Sequence, residues 1–165
     1  MGEQIRKLKE ANIDISVTPG VPSFAAAAAS IDRELTIPGI GQSVGLTRTQ
    51  GRASAMPDDE SLENFARTGS TLAIHLSIHN LGYIVEKLIP FYGANCPIVV
   101  IFRASWPDQQ IIKGELYTIE NRIPNEIERT AIIFVRSCLD NDQFNNSRLY
   151  ATDYSRRFRP GTAQE

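Results

Sequence analysis

The chain has 165 residues, 42% of them hydrophobic and 22% charged, with a formal net charge of −2. Those figures describe an ordinary globular sequence with room for one core, or one core and a fragment of a second. They exclude a general basic field for nucleic acid or anionic lipid, so any arginine that matters acts locally. No apolar run approaches the roughly 20 residues of a membrane span. The opening MGEQIRKLKEAN alternates charges without an apolar core, unlike a secretory leader.

In chain order, Ile5 and Leu8 share one face of a predicted first helix with Asn12 near its C-terminal cap. Ile13, Ile15 and Val17 alternate with polar residues and predict a strand over 13–18. The turn Pro19-Gly20 leads to a helix that Pro22 opens and five alanines, Ala25 to Ala29, continue. Such a run packs closely against a broad surface. Helix, strand, helix is the grammar of a parallel α/β sheet, whose strands need neighbours supplied by crossovers. The expectation is therefore that earlier strands of that sheet are missing.

From Leu35 the texture changes. A strand is predicted over 43–49, then a polar loop over 50–59 and a short amphipathic helix over 61–67 that stops at Gly69. A strand over 71–76 follows. Leu81, Ile84, Val85, Leu88 and Ile89 then trace the apolar stripe of a helix ending before Gly93. The run 97–103 predicts a central strand, and Trp106-Pro107-Asp108 turns it into a hairpin with 110–116. A helical turn over 118–123 and a strand over 130–135 complete a mixed sheet of about five strands with two or three flanking helices. The tail from Asp140 is polar and rich in Arg and Tyr.

Isolated chemistry is sparse. Cys96 and Cys138 lie far apart without metal-ligand spacing and are expected as buried free thiols in a reducing cytoplasm. His75 and His79 are four residues apart, but His75 falls in a predicted strand and no third ligand stands near. No metal site is expected.

Four segments together carry a resemblance: Val17-Thr18-Pro19-Gly20-Val21-Pro22-Ser23 running into alanines; Leu46-Thr47-Arg48 followed by Gly51-Arg52-Ala53-Ser54; Arg103-Ala104-Ser105-Trp106-Pro107-Asp108 with Gly114 and Leu116; and Ser147-Arg148-Leu149-Tyr150 followed by Tyr154-Ser155-Arg156-Arg157-Phe158-Arg159. In this order they resemble the precorrin-4 or cobalt-precorrin-4 C(11)-methyltransferases of the tetrapyrrole methylase family, over nearly the whole chain. The resemblance implies two α/β domains with S-adenosylmethionine (SAM) between them, a precorrin-4 or cobalt-precorrin-4 substrate methylated at carbon 11, S-adenosylhomocysteine as product, no protein-bound metal, and a cytoplasmic homodimer. It also implies that residues 1–34 are a remnant of the N-terminal domain and 35–165 the C-terminal domain, because the glycine-rich loop of the first domain is absent. Gly39 and Gly41 stand in a segment usually more strand-like, and Arg136 stands where a glycine is common.

By the same resemblance Pro22, Ser23, Leu76, Ala104 and Ser105 are the candidate SAM-binding residues, at the strand ends where α/β sheets collect ligands. Arg48, Arg52 and Ser54 are the candidates for the substrate's carboxylates, which guanidinium groups grip with two prongs. No catalytic residue is assigned, since in-line transfer from a sulfonium rests on alignment and exclusion of water. Two other readings stand beside this one. One is a catalytically incompetent C-terminal fragment that folds or dimerises and needs a separate N-terminal half. The other is a methylase of the same fold acting on another tetrapyrrole.

Overall fold

A computed structural model describes residues 1–51, 55–136, 139 and 154–155. The elements are α1 (Gly2–Glu10), α2 (Ser23–Ser30), β1 (Val44–Arg48), α3 (Leu62–Arg67), β2 (Thr71–His75), α4 (Leu81–Tyr92), β3 (Pro97–Phe102), β4 (Gln110–Glu115) and β5 (Ala131–Val135), with short 3₁₀ turns between some of them. The five strands form one mixed sheet in the order β1-β2-β5-β3-β4. β1 and β2 run parallel, and β5 pairs antiparallel with both β2 and β3. The carboxyl ends of β1, β2 and β3 therefore share one edge of the sheet with the start of β5.

Both faces are covered. Leu62 and Ala66 of α3 and Ile84, Val85 and Leu88 of α4 pack on Leu72, Ile74, Ile98, Val100, Ile133 and Val135. On the other face Ala27, Ala28 and Ile31 meet Ala73, Val99, Ile101, Ile132 and Phe134. Burial on two sides is why β3 and β5 read as unbroken apolar runs rather than alternating ones. The alanine run of α2 lets backbone approach sheet, and Ala27 is fully buried. Helix boundaries follow their residues: the Ser61 hydroxyl accepts the Asn64 N–H at α3, and Gly93, at φ 84°, ends α4.

Three expectations change. Residues 13–18 pair with no strand among the described residues, and Ile13 and Val17 are exposed. Alternation prepares a face for burial, but a strand also needs a neighbour for its N–H and C=O groups. β3 is an interior strand, whereas the centre belongs to β5, which returns between β2 and β3. The strands expected to end at Leu76 and Arg103 and to begin at Thr130 each stop one residue short, because all three residues have positive φ (53°, 49° and 59°).

Candidate nucleoside pocket at the strand ends

The shared edge carries a recess of about 260 Å³. Its walls come from the end of β2 (His75, Leu76), the end of β3 (Ile101, Arg103, Ala104), the start of β5 and the first residue of α2, Ser23. Ala104 leaves the mouth open, Ile101 and Ile132 make an apolar floor, and Ser23, His75 and Thr130 supply polar groups. This is the composition of a small-molecule site, although the volume is below the usual range of about 300–1,000 Å³.

Local strain concentrates here. Among the described residues, six non-glycines have positive φ, and four of them (Leu76, Arg103, Ser105, Thr130) border this recess. Each costs on the order of 1–3 kcal/mol and persists only where surroundings over-determine it. Hydrogen bonds do so behind β2. The Thr49 N–H and hydroxyl both donate to the Ser77 hydroxyl oxygen, at 2.7 and 3.0 Å. The Ser77 hydroxyl donates to the His75 carbonyl at 2.6 Å, and Asn80 Nδ2 donates to Thr49 Oγ1 at 2.8 Å. The loops leaving β1 and β2 are thereby locked together.

His75 meets Phe24 of α2 edge to face, with ring centroids 6.3 Å apart. Burial holds its pKa below the ordinary imidazole value. Arg103 forms an ion pair with Asp108 at the rim.

Of the residues expected at a SAM site, Ser23, Leu76 and Ala104 converge on this recess. Pro22 caps α2 immediately before Ser23, and Ser105 follows Ala104 on the exposed rim; neither lines the recess itself. Arg48 stands at the same edge beside His75 in register, and its guanidinium donates to the carbonyls of Thr49 and Ala55. Arg52 and Ser54 lie outside the described residues, as do Cys138 and most of the tail. Cys96 is buried, and no metal-binding cluster occurs among the described residues. Sequence reasoning passed over His75, Arg103, Trp106 and Thr130 as recess residues. Their one legible signal was position, at strand ends on a common edge.

A larger recess of about 530 Å³ lies at the opposite edge, between the end of α4 and Arg136. There the Tyr92 phenol donates to the Ser70 carbonyl at 2.7 Å, and burial pushes its pKa up to about 12. It lacks the strained strand ends of the smaller recess.

Residues 1–120 match the model of the tetrapyrrole (corrin/porphyrin) methylases. The chain belongs to that family. A precorrin-4 C(11)-methyltransferase of a Sinorhizobium species is 53% identical to this methylase over 160 residues, covering 96% of the chain and 63% of the relative. The crystal structure of a cobalt precorrin-4 methyltransferase of cobalamin biosynthesis superposes with a TM-score of 0.79 at 34% identity, over 85% of this chain and 59% of that one. A uroporphyrin-III C-methyltransferase from Thermus thermophilus, complexed with S-adenosylhomocysteine, gives a TM-score of 0.67 at 21% identity, over 84% and 59%, and shares the fold. This methylase chain thus spans less than two thirds of the length of the relatives it matches.

Proposed function

We propose that the chain forms the larger part of a SAM-dependent methyltransferase that methylates carbon 11 of precorrin-4 or cobalt-precorrin-4 in cobalamin biosynthesis. One observation carries the reading: Ser23, Leu76 and Ala104, far apart in sequence, meet in one recess at the carboxyl ends of parallel strands. The family membership and the names of the similar proteins support the substrate class. In this reading residues 1–34 belong to the first of two domains and 35–165 make the second, so the recess is one wall of a cleft, consistent with its small volume.

The residues fit a nucleoside. The apolar floor suits a heterocycle, while Ser23, Thr130 and the neutral imidazole of His75 offer hydrogen bonds. SAM, when bound, supplies an electrophilic methyl group on a sulfonium. Ala104 admits close approach of the ligand to the backbone after β3. Leu76, turned out of β2 at φ 53° and 78% exposed, presents its carbonyl and side chain to the ligand. Ile101 and Ile132 exclude water, which strengthens every polar contact the site makes. Arg48, Arg52 and Ser54 are the proposed grips on the substrate's carboxylates. Cytoplasmic location and a homodimer complete the proposal.

The test is turnover. Precorrin-4 and SAM are incubated with the chain, with and without the N-terminal part of the Sinorhizobium relative supplied as a separate polypeptide. A methylated product and S-adenosylhomocysteine, in equal amounts, are expected only from the pair. A folded pair that releases neither would overturn the assignment.

A further inference from the structure

We propose that Trp106, backed by Arg103, is a prebuilt docking platform for a flat, carboxylate-bearing macrocycle at the rim of the nucleoside recess. The inference rests on the methylase reading and adds to it a substrate-contacting surface distinct from Arg48, Arg52 and Ser54. Trp106 is the single tryptophan of the chain, and it is 57% exposed. A large aromatic left in water at the mouth of a recess is area that a ligand can cover.

The turn that presents it is rigid. The Trp106 N–H donates to the Arg103 carbonyl at 3.0 Å and the Gln109 N–H to the Trp106 carbonyl at 3.1 Å. The Ser105 N–H donates to Gln109 Oε1 at 2.7 Å. Arg103 and Ser105, on either side of Ala104, both hold positive φ. The indole is therefore displayed in advance of binding, which limits the ordering entropy that binding must overcome.

Arg103 supplies the second half of the argument. Its Cζ lies 5.1 Å from the Phe102 ring centroid and 5.3 Å from the Trp106 centroid, within cation–π range of both. Asp108 accepts from Nη1 and is the side chain that hydrogen-bonds to it among the described residues. The remaining guanidinium N–H groups can meet a carboxylate beside the ring. An aromatic face with adjacent cationic donors matches a planar conjugated ring that carries acid side chains. Because Trp106 and Ala104 line the same recess, a macrocycle on this platform would abut the methyl donor's site.

Uroporphyrin III, planar and polycarboxylated, serves as the probe on the chain as it stands. With one tryptophan, the ¹H–¹⁵N spectrum has one indole cross-peak, so its assignment is immediate. Saturable movement of that peak is expected on adding the porphyrin. Trp106→Ala should weaken binding, read from the porphyrin absorbance, by roughly tenfold or more, and Trp106→Phe should retain most of it. Arg103→Gln should weaken it too, with less effect on a porphyrin whose carboxylates are esterified. Unchanged affinity in Trp106→Ala, or an indole peak still at the porphyrin's solubility limit, would overturn the platform. So would an indole peak that moves with S-adenosylhomocysteine and not with porphyrin, which would give the ring to the nucleoside. Movement of the Leu76 and Ala104 amides with millimolar S-adenosylhomocysteine reports the methylase reading separately, so either can fail while the other stands.

Discussion

The two edges of the sheet solve the same geometric problem with different residues. Where chain enters the sheet opposite the recess, left-handed backbone is assigned to glycines: Gly69 before β2, Gly93 before β3 and Gly39 in the segment leading to β1. Glycine adopts such angles without a Cβ clash. At the recess edge the same angles fall on Leu76, Arg103, Ser105 and Thr130, where glycine would have relieved the backbone. Side chains are kept there despite the strain, and three of the four line the recess. The strained edge is the one proposed above for binding, whereas the edge that assigns left-handed backbone to glycines avoids the strain.

The largest test removes the element both edges share. β5 starts beside Thr130 at the recess and ends beside Arg136 at the other edge, and Phe134 within it is fully buried. Phe134→Ala should lower stability by about 3–5 kcal/mol, measured by chemical denaturation, with both edges unfolding together. Separate transitions at the two edges would show them to be independent units. Next comes the glycine edge alone. Arg136 reaches back to donate to the Ile40 carbonyl, and a Cβ on Gly41 would meet its guanidinium carbon at 2.8 Å. Gly41→Val should therefore cost about 2 kcal/mol in the parent. In an Arg136→Ala background it should cost less than about 0.5 kcal/mol, since the opposing group is gone. Equal costs in both backgrounds would break the pairing. Gly41 and Arg136 are two of the three positions, with Gly39, singled out in sequence as departures from the family pattern, and the contact joins these two in one arrangement.

The comparison of edges is most direct in a pair of opposite substitutions. Gly69→Ala, at φ 63°, should destabilise by about 1 kcal/mol. Leu76→Gly, at φ 53° in a residue 78% exposed, should leave stability unchanged or raise it by up to about 1 kcal/mol, because strain is relieved and little burial is lost. The same Leu76→Gly should weaken S-adenosylhomocysteine binding. If both variants destabilise alike, the two edges are not built on different terms.

Much of this arrangement was legible in the sequence. The helix over 81–92 followed from its apolar stripe, and the hairpin from the Pro97 run and its Trp-Pro-Asp turn. Membership of the family came from motifs spread along the chain. The segment over 13–18 pairs with no strand among the described residues, because alternation specifies a face and not a partner. The place of β5 at the centre was missed because periodicity carries no pairing order. The strand limits at Leu76, Arg103 and Thr130 were each one residue out for a common cause: nothing in a leucine, arginine or threonine announces left-handed backbone, which is imposed by tertiary contacts such as the Thr49–Ser77–His75 chain of hydrogen bonds. The site's most informative feature was thus the least readable one.

The smallest expected effect concerns protons at the recess edge. His75 packs on Phe24 of α2, with Arg48 beside it in register on β1 and Arg103 lining the same recess; β5 contributes the apolar Ile132. Desolvation lowers its pKa in the folded state, so the unfolded chain, titrating near 6.5, takes up the proton first. Between the folded pKa and about 6.5 the unfolded state binds more protons, and stability falls as pH falls through that window. Above it the contribution is fully present, and below the folded pKa the loss is complete. Because the imidazole is partly exposed, solvent screening keeps the effect modest. Denaturation midpoints measured from pH 8 to pH 5 should decline in the parent and flatten in His75→Gln, while a variant at the opposite edge, Tyr92→Phe, should keep the parent's slope. A slope that survives in His75→Gln would assign the titration elsewhere and remove this proton-linked difference between the two edges.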